Sequence, residues 1–149
     1  MRSSAHGTSA TGGRAPVQVV TMFVALVFLL VGLLGFVPGI TSDFDSMTFA
    51  GHHSSAELFG IFEVSVLHNI VHLLFGIAGF LLARSVRGSL MFLFVGGAIY
   101  LVLWLYGLLI DLDSAANFVP VNNADNWLHL VLGVGMIGLG AIFGRGAKR

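Results

Sequence analysis

Two short polar stretches inside apolar sequence hold the residues that can do chemistry. His68-Asn69-Ile70-Val71-His72 runs on into Leu73-Leu74-Phe75-Gly76, and Asn126-Trp127-Leu128-His129-Leu130-Val131-Leu132-Gly133 repeats its pattern, N-x-x-H-L-x-x-G, 57 residues later. Imidazole and carboxamide groups set in hydrocarbon carry a free-energy cost, so they need partners or a task. Four tasks suit these residue types. The side chains can bond across helices as polar glue, at roughly 0.6–2 kcal/mol per bond. His72 and His129 can serve as axial ligands of a haem. His68 and His72, one helical turn apart, can hold a divalent metal, with His129, Asp125 or Glu63 completing the set. The buried histidines with Asp125 and Glu63 can relay protons or line a path for a small solute. Spacing leaves all four open; the polar-glue reading is adopted, with no cofactor and no catalytic residue expected.

Other motifs carry less. Position 69 is Asn, so His68-x3-His72 is not H-E-x-x-H and a zinc protease is excluded. Gly133-Val134-Gly135-Met136-Ile137-Gly138 matches G-x-G-x-x-G, but no strand precedes it and it falls inside an apolar helix, so it reads as a decoy. His52 and His53, with Asp43, Asp45 and Glu57, read as a solvated loop rather than a cation site.

The elements that must position these residues are membrane helices. Hydrophobic residues make up 56% of the 149 and charged residues 9%, against about 25% charged in a soluble domain. Residues 17–37 form an uncharged run of 21; at about 1.5 Å per residue it covers ~31 Å, the thickness of a hydrocarbon core. It is longer than the apolar region of a signal peptide, so it is read as a retained helix. Further helices are predicted over about 61–83, 89–110 and 126–143, with outer loops at 38–60 and 111–125. A disordered tail is expected at 1–16 and a basic tail at 145–149, flanking a membrane domain over 17–144.

Charge orients the chain. All seven basic residues (Arg2, Arg14, Arg84, Arg87, Arg145, Lys148 and Arg149) fall in the tails or the turn between the second and third helices. All seven acids (Asp43, Asp45, Glu57, Glu63, Asp111, Asp113 and Asp125) fall toward the other side. Basic loops stay cytoplasmic, so four spans with both termini inside is the consistent topology. The site then lies in the outer half of the bilayer: His72 is ~18 Å and His129 ~24 Å from the inner end at 1.5 Å per residue.

Helical spacing puts the unusual residues on single faces. One stripe is Ser65, His68, Asn69, His72, Gly76, Gly79 and Ala83. A second is Asp125, Asn126, His129, Gly133, Gly140 and Gly144. A third is Thr21, Ala25, Phe28, Gly32, Gly35 and Gly39. Small residues let backbones approach, so Gly32, Gly35, Gly76, Gly79, Gly133 and Gly140 are assigned to helix packing. The buried polar motif is His68, Asn69, His72, Asp125, Asn126 and His129. It is expected to join the second and fourth helices, with Asp125 one turn before His129 and within contact range. A Leu-Val pattern shared by the first and third helices at an offset of 75 suggests two duplicated helical hairpins, an all-α bundle of parallel repeats.

Gly35-Phe36-Val37-Pro38-Gly39, Leu67-His68-Asn69-Ile70-Val71-His72-Leu73-Leu74-x-Gly76 and Ala124-Asp125-Asn126-x-Leu128-His129-Leu130-x-Leu132-Gly133 carry a resemblance over about residues 17–144. In these the chain resembles a bacterial, actinobacterial-type, four-helix integral membrane family catalogued as domain of unknown function number 4383. The resemblance implies a plasma-membrane protein and brings no activity, cofactor or catalytic residue. Partners expected are the lipid bilayer and other membrane proteins or copies of itself. Zero cysteines exclude disulfides and thiolate sites, and a net charge of zero gives no support to nucleic-acid binding.

Overall fold

The computed structural model describes residues 13–145, so most of the tail expected at 1–16 and of the basic tail at 145–149 lies outside the described residues. Four helices carry the fold: α1 (Pro16–Leu34), α2 (Val66–Leu82), α3 (Val86–Leu109) and α4 (Asn123–Gly144). α1, α3 and α4 are long and apolar enough to cross a membrane. α2 has 17 residues, ~26 Å of helix at 1.5 Å per residue.

α1 packs along α2 and α3 along α4, and the two helix pairs meet where α3 lies against both α1 and α2 and where α1 lies against α4. The central core is Val17, Phe28, Phe92, Leu93, Tyr100 and Met136. Large apolar side chains such as Phe23, Leu74, Val102, Val131 and Ile142 point outward. A solvent-facing surface of this kind would be an aggregation hazard; in hydrocarbon it is the expected exterior.

Four boundaries differ from the sequence expectation by three residues or more. α2 begins at Val66, not near 61, because the preceding residues pair as strands. β1 (Thr41–Ser42), β2 (Glu57–Leu58) and β3 (Phe62–Glu63) form a small antiparallel sheet in the order β1-β2-β3. The chain is therefore not purely helical. Leu58, Ala56 and Val64 bury themselves against Val31, Leu34, Ile40, Met47 and Phe62, so the long first connection is a folded cap over the helix ends. α3 begins at Val86, within the supposed turn, because Ser85 caps it by accepting the Gly88 N–H at 3.0 Å. α4 begins at Asn123 because Asn122 and Asp125 form a capping box.

α1 ends early, at Leu34. Thr41 Oγ1 reaches the carbonyls of Leu34 and Gly35, each at 3.2 Å, and so satisfies the helix end as the chain turns into the cap. Gly39 was placed on a packing stripe; it is exposed, at φ +90, and serves this turn instead.

Candidate functional site

The predicted polar residues are all buried. The buried face of α2 is His68, Asn69, His72, Gly76 and Gly79. That of α4 is Asp125, Asn126, His129, Gly133, Met136, Gly140 and Gly144, so Met136 is the one position the spacing argument missed. Each polar side chain goes to a definite place, and several places differ from expectation.

The two asparagines lie inside their own hairpins rather than between α2 and α4. Asn69 covers Gly35 at the end of α1, where an added Cβ would stand 2.1 Å from its Oδ1. Asn126 covers Gly107 of α3, where the same distance is 1.8 Å, and its Nδ2 donates to the Gly107 carbonyl at 3.1 Å. Only glycine admits a carboxamide this close to the neighbouring backbone. Gly76 meets Leu29 and the Ala25 carbonyl; Gly133 meets Leu101 and the Gly97 carbonyl. These matching contacts, Gly35 with Gly107, Leu29 with Leu101 and Ala25 with Gly97, correspond at an offset of 72 residues, not 75. The leucine pattern keeps its identities only at 75, whereas the glycine contacts correspond at 72. The glycine that must sit under an asparagine fits only one.

Between the hairpins stand aromatic rings. Phe28 stacks on Tyr100, with centroids 5.4 Å apart and planes at 27°. Phe28 meets His72 at 5.7 Å, and Tyr100 meets His129 at 5.3 Å. Phe28 and Tyr100 thus link His72 to His129 in a row, while His68, His72 and His129 also share the walls of two cavities.

At the ends under the cap each hairpin reaches into the other. Ser65 caps α2 by accepting the His68 N–H at 3.1 Å, and Asn122 caps α4 by accepting the Asp125 N–H at 3.0 Å. The side chain of the third helical residue then crosses over. His68 Nδ1 meets the Pro120 carbonyl at 3.2 Å, and Asp125 Oδ2 accepts the Glu63 N–H at 3.0 Å. Ser65 and Asn122, His68 and Asp125, and Glu63 and Pro120 are each 57 residues apart. The expected Asp125–His129 contact is not made, since Asp125 Oδ2 is already held by the N–H groups of Glu63 and Asn122. The caps at Ser65 and Asn122 lie outside the motifs that stand out in the sequence, although serine and asparagine just before an apolar helical run each mark a helix start.

His68, His72 and His129 stand together as a wall between two cavities. One, of about 100 Å³, lies toward Tyr100, Tyr106 and Phe118. The other, of about 70 Å³, lies under the cap toward Asp125, Phe62 and Leu128. His68 and His72 stack at 4.5 Å, and His72 Nδ1 donates to the His68 carbonyl at 3.0 Å. His129 Nδ1, Asn69 Oδ1 and Asn126 Oδ1 are buried without a hydrogen-bond partner among the described residues. Each such orphan costs about 1–3 kcal/mol.

The metal and haem readings fit this geometry poorly. Among the described residues no three His, Asp or Glu side chains are grouped to hold a metal ion. His68 and His72 each donate Nδ1–H to a carbonyl, which leaves Nε2 as the nitrogen that could ligate. Both cavities, about 100 and 70 Å³, are far below the ~300–1,000 Å³ of pockets that enclose drug-sized ligands, and a porphyrin needs no less. In the outer loop His52 and His53 lie against each other, centroids 4.0 Å apart. Glu63, at the rim of the site outside the helices, has its carboxyl pushed up from 4.5 to about 7 by burial, with Glu57 and Asp113 adding repulsion.

A helical fold with three helices able to cross a membrane, and buried polar side chains packed among them, defines the class. The chain belongs to the family described as a domain of unknown function (DUF4383), whose profile matches residues 18–142. Comparison with curated proteins and with solved structures finds no match.

Proposed function

We propose that the protein is a four-span membrane scaffold, a structural or partner-binding subunit of the plasma membrane with both termini cytoplasmic. Its two hairpins are read as copies of one ancestral hairpin. The His/Asn motif is the joint that fixes each hairpin and locks one to the other.

The observation that carries this reading is the reciprocal tie at the outer end. His68 of one hairpin holds Pro120 of the other, and Asp125 of the second accepts from Glu63 of the first, at equivalent positions. A tie of this kind commits His68 Nδ1 and the Asp125 carboxylate to packing. It leaves each helix end satisfied where it meets the cap.

Charge placement supports the orientation. Arg14 and Arg84 line one groove at the α1–α2 end, and Arg145 lies by Leu90 near the start of α3. Asp43, Asp45, Glu57 and Glu63 lie in the cap, Asp111 and Asp113 in the 111–122 connection and Asp125 in the first turn of α4. Proton conduction has less support. Inward of the histidines the buried side chains are mostly apolar, Phe92, Leu93 and Met136 among them, with only the hydroxyls of Thr21 and Ser89 as buried polar groups toward that end among the described residues.

The absence of cysteine makes the topology directly testable. Single cysteines at Ser46 and Asp113 should react with a membrane-impermeant maleimide on intact cells. One at Arg87 should react only after permeabilisation. Labelling of position 87 from outside would overturn the orientation.

A further inference from the structure

The larger cavity beside the histidines has the features of a binding site. It lies between α2, α3 and the 111–122 connection, and His68, His72, His129, Tyr100, Leu103 and Phe118 are among its walls. Leu103 and Phe118 are also part of the exposed apolar exterior. In the bilayer placement proposed above, access is therefore from lipid, and an occupant needs an apolar body.

The polar walls state what else it needs. A carbonyl oxygen only accepts, so the bonds from His72 to the His68 carbonyl and from His68 to the Pro120 carbonyl place the proton on Nδ1 of both rings. Each Nε2 is left with a lone pair, and among the described residues no donor meets either one. Tyr100 Oη, in the same cavity, also has no hydrogen-bond partner among the described residues, and the buried His129 Nδ1 has none. The wall thus offers acceptors on two imidazoles and a hydroxyl that can donate. A quinone carbonyl can answer the tyrosine but not the imidazoles. A hydroxyl answers both, because it donates and accepts. No lysine or arginine lines the cavity, which gives an anion nothing to bind.

Size and shape narrow the class. The enclosed volume is about 100 Å³, less than the ~150 Å³ apolar cavity that holds one benzene ring, so a bound ring extends past the exposed Leu103 and Phe118 toward lipid. Tyr100, Tyr106, Phe118 and the imidazoles present ring faces and edges. We infer that this cavity binds a neutral hydroxyl-bearing aromatic ring entering from the bilayer: a free phenol or the ring of a lipid quinol. The inference rests on the membrane placement, but its test is separate from the topology experiment.

The test uses purified full-length protein in detergent, with para-fluorophenol as probe and fluorine NMR as readout. Para-fluoroanisole, the same ring without a donor, is the control, and empty micelles correct for partition. The phenol should bind saturably and about tenfold or more tighter than the anisole, the preference expected of one good hydrogen bond. His72→Phe should abolish that preference. If His72→Phe does not fold, Tyr100→Phe, which removes only a hydroxyl, should weaken phenol binding severalfold. Displacement by a short-chain quinol better than by phenol would assign the natural ligand to lipid quinols, and equal displacement to free phenols; either upholds the site. Equal binding of phenol and anisole, no saturable binding, or unchanged affinity in both variants would overturn it.

Discussion

Asp125 accepts the main-chain N–H of Glu63 at 3.0 Å, across 62 residues of sequence. The bond joins the start of α4 to the cap carried by the other hairpin. It is answered at the equivalent place by His68 and the Pro120 carbonyl. Two elements that could slide independently are therefore fixed at both outer corners. Asp125→Ala would leave the N–H groups of Glu63 and Asn122 without their acceptor and remove the α4 capping box. Loss of about 2–4 kcal/mol is expected for a buried cap with charge-assisted bonds. Amide exchange at Glu63 and Asn122 should rise ahead of exchange in the helix interiors. Unchanged protection there would show that the tie does not hold the cap.

Gly107→Ala should be among the most damaging single changes in the chain. Its methyl would stand 1.8 Å from Asn126 Oδ1, and overpacking of this kind costs about 1–3 kcal/mol. Pairing it with Asn126→Ala should recover part of the loss, since the clash is then gone. Thermal unfolding in detergent measures both. Additive losses in the double variant would contradict the packing described.

Gly135→Ala and Gly138→Ala should behave oppositely. Nothing lies within 4 Å of a Cβ added at either position, and alanine is favoured over glycine in a helix by up to ~1 kcal/mol. Both variants should be neutral or slightly more stable, whereas Gly133→Ala, which meets Leu101 and the Gly97 carbonyl, should destabilise.

Glu63 should make stability depend on pH. Its carboxyl is raised from 4.5 to about 7 in the folded protein. Between those values the folded state holds more proton than the unfolded state, so stability falls as pH rises through the window. Below about pH 4.5 the contribution is fully present, and above about 7 it is lost. Glu63→Gln should flatten this part of the pH profile. A profile of unchanged slope in the variant would place the titration elsewhere.

The helix faces were legible in the chain. The α2 stripe needed only a period of 3.6 residues and the rule that polar and small residues in hydrocarbon turn inward. Every member of that stripe is buried. The pairing partners were not legible, because a stripe specifies a direction and not a neighbour. Asn69 and Asn126 were expected to bridge α2 and α4; each lies on a glycine of its own hairpin. The cap was hidden for another reason: strands of two residues, Thr41–Ser42, Glu57–Leu58 and Phe62–Glu63, are too short to show alternation, and their pairing depends on contacts distant along the chain.

Composition and periodicity by themselves determined that the helices are apolar, where the polar groups lie along them and which way each face turns, because burial in hydrocarbon acts on every residue separately. The register of 72, the aromatic row between His72 and His129 and the crossed bonds of His68 and Asp125 were decided only in three dimensions. Those are relations between surfaces, and a helix shifted by one turn presents almost the same sequence pattern while meeting different atoms.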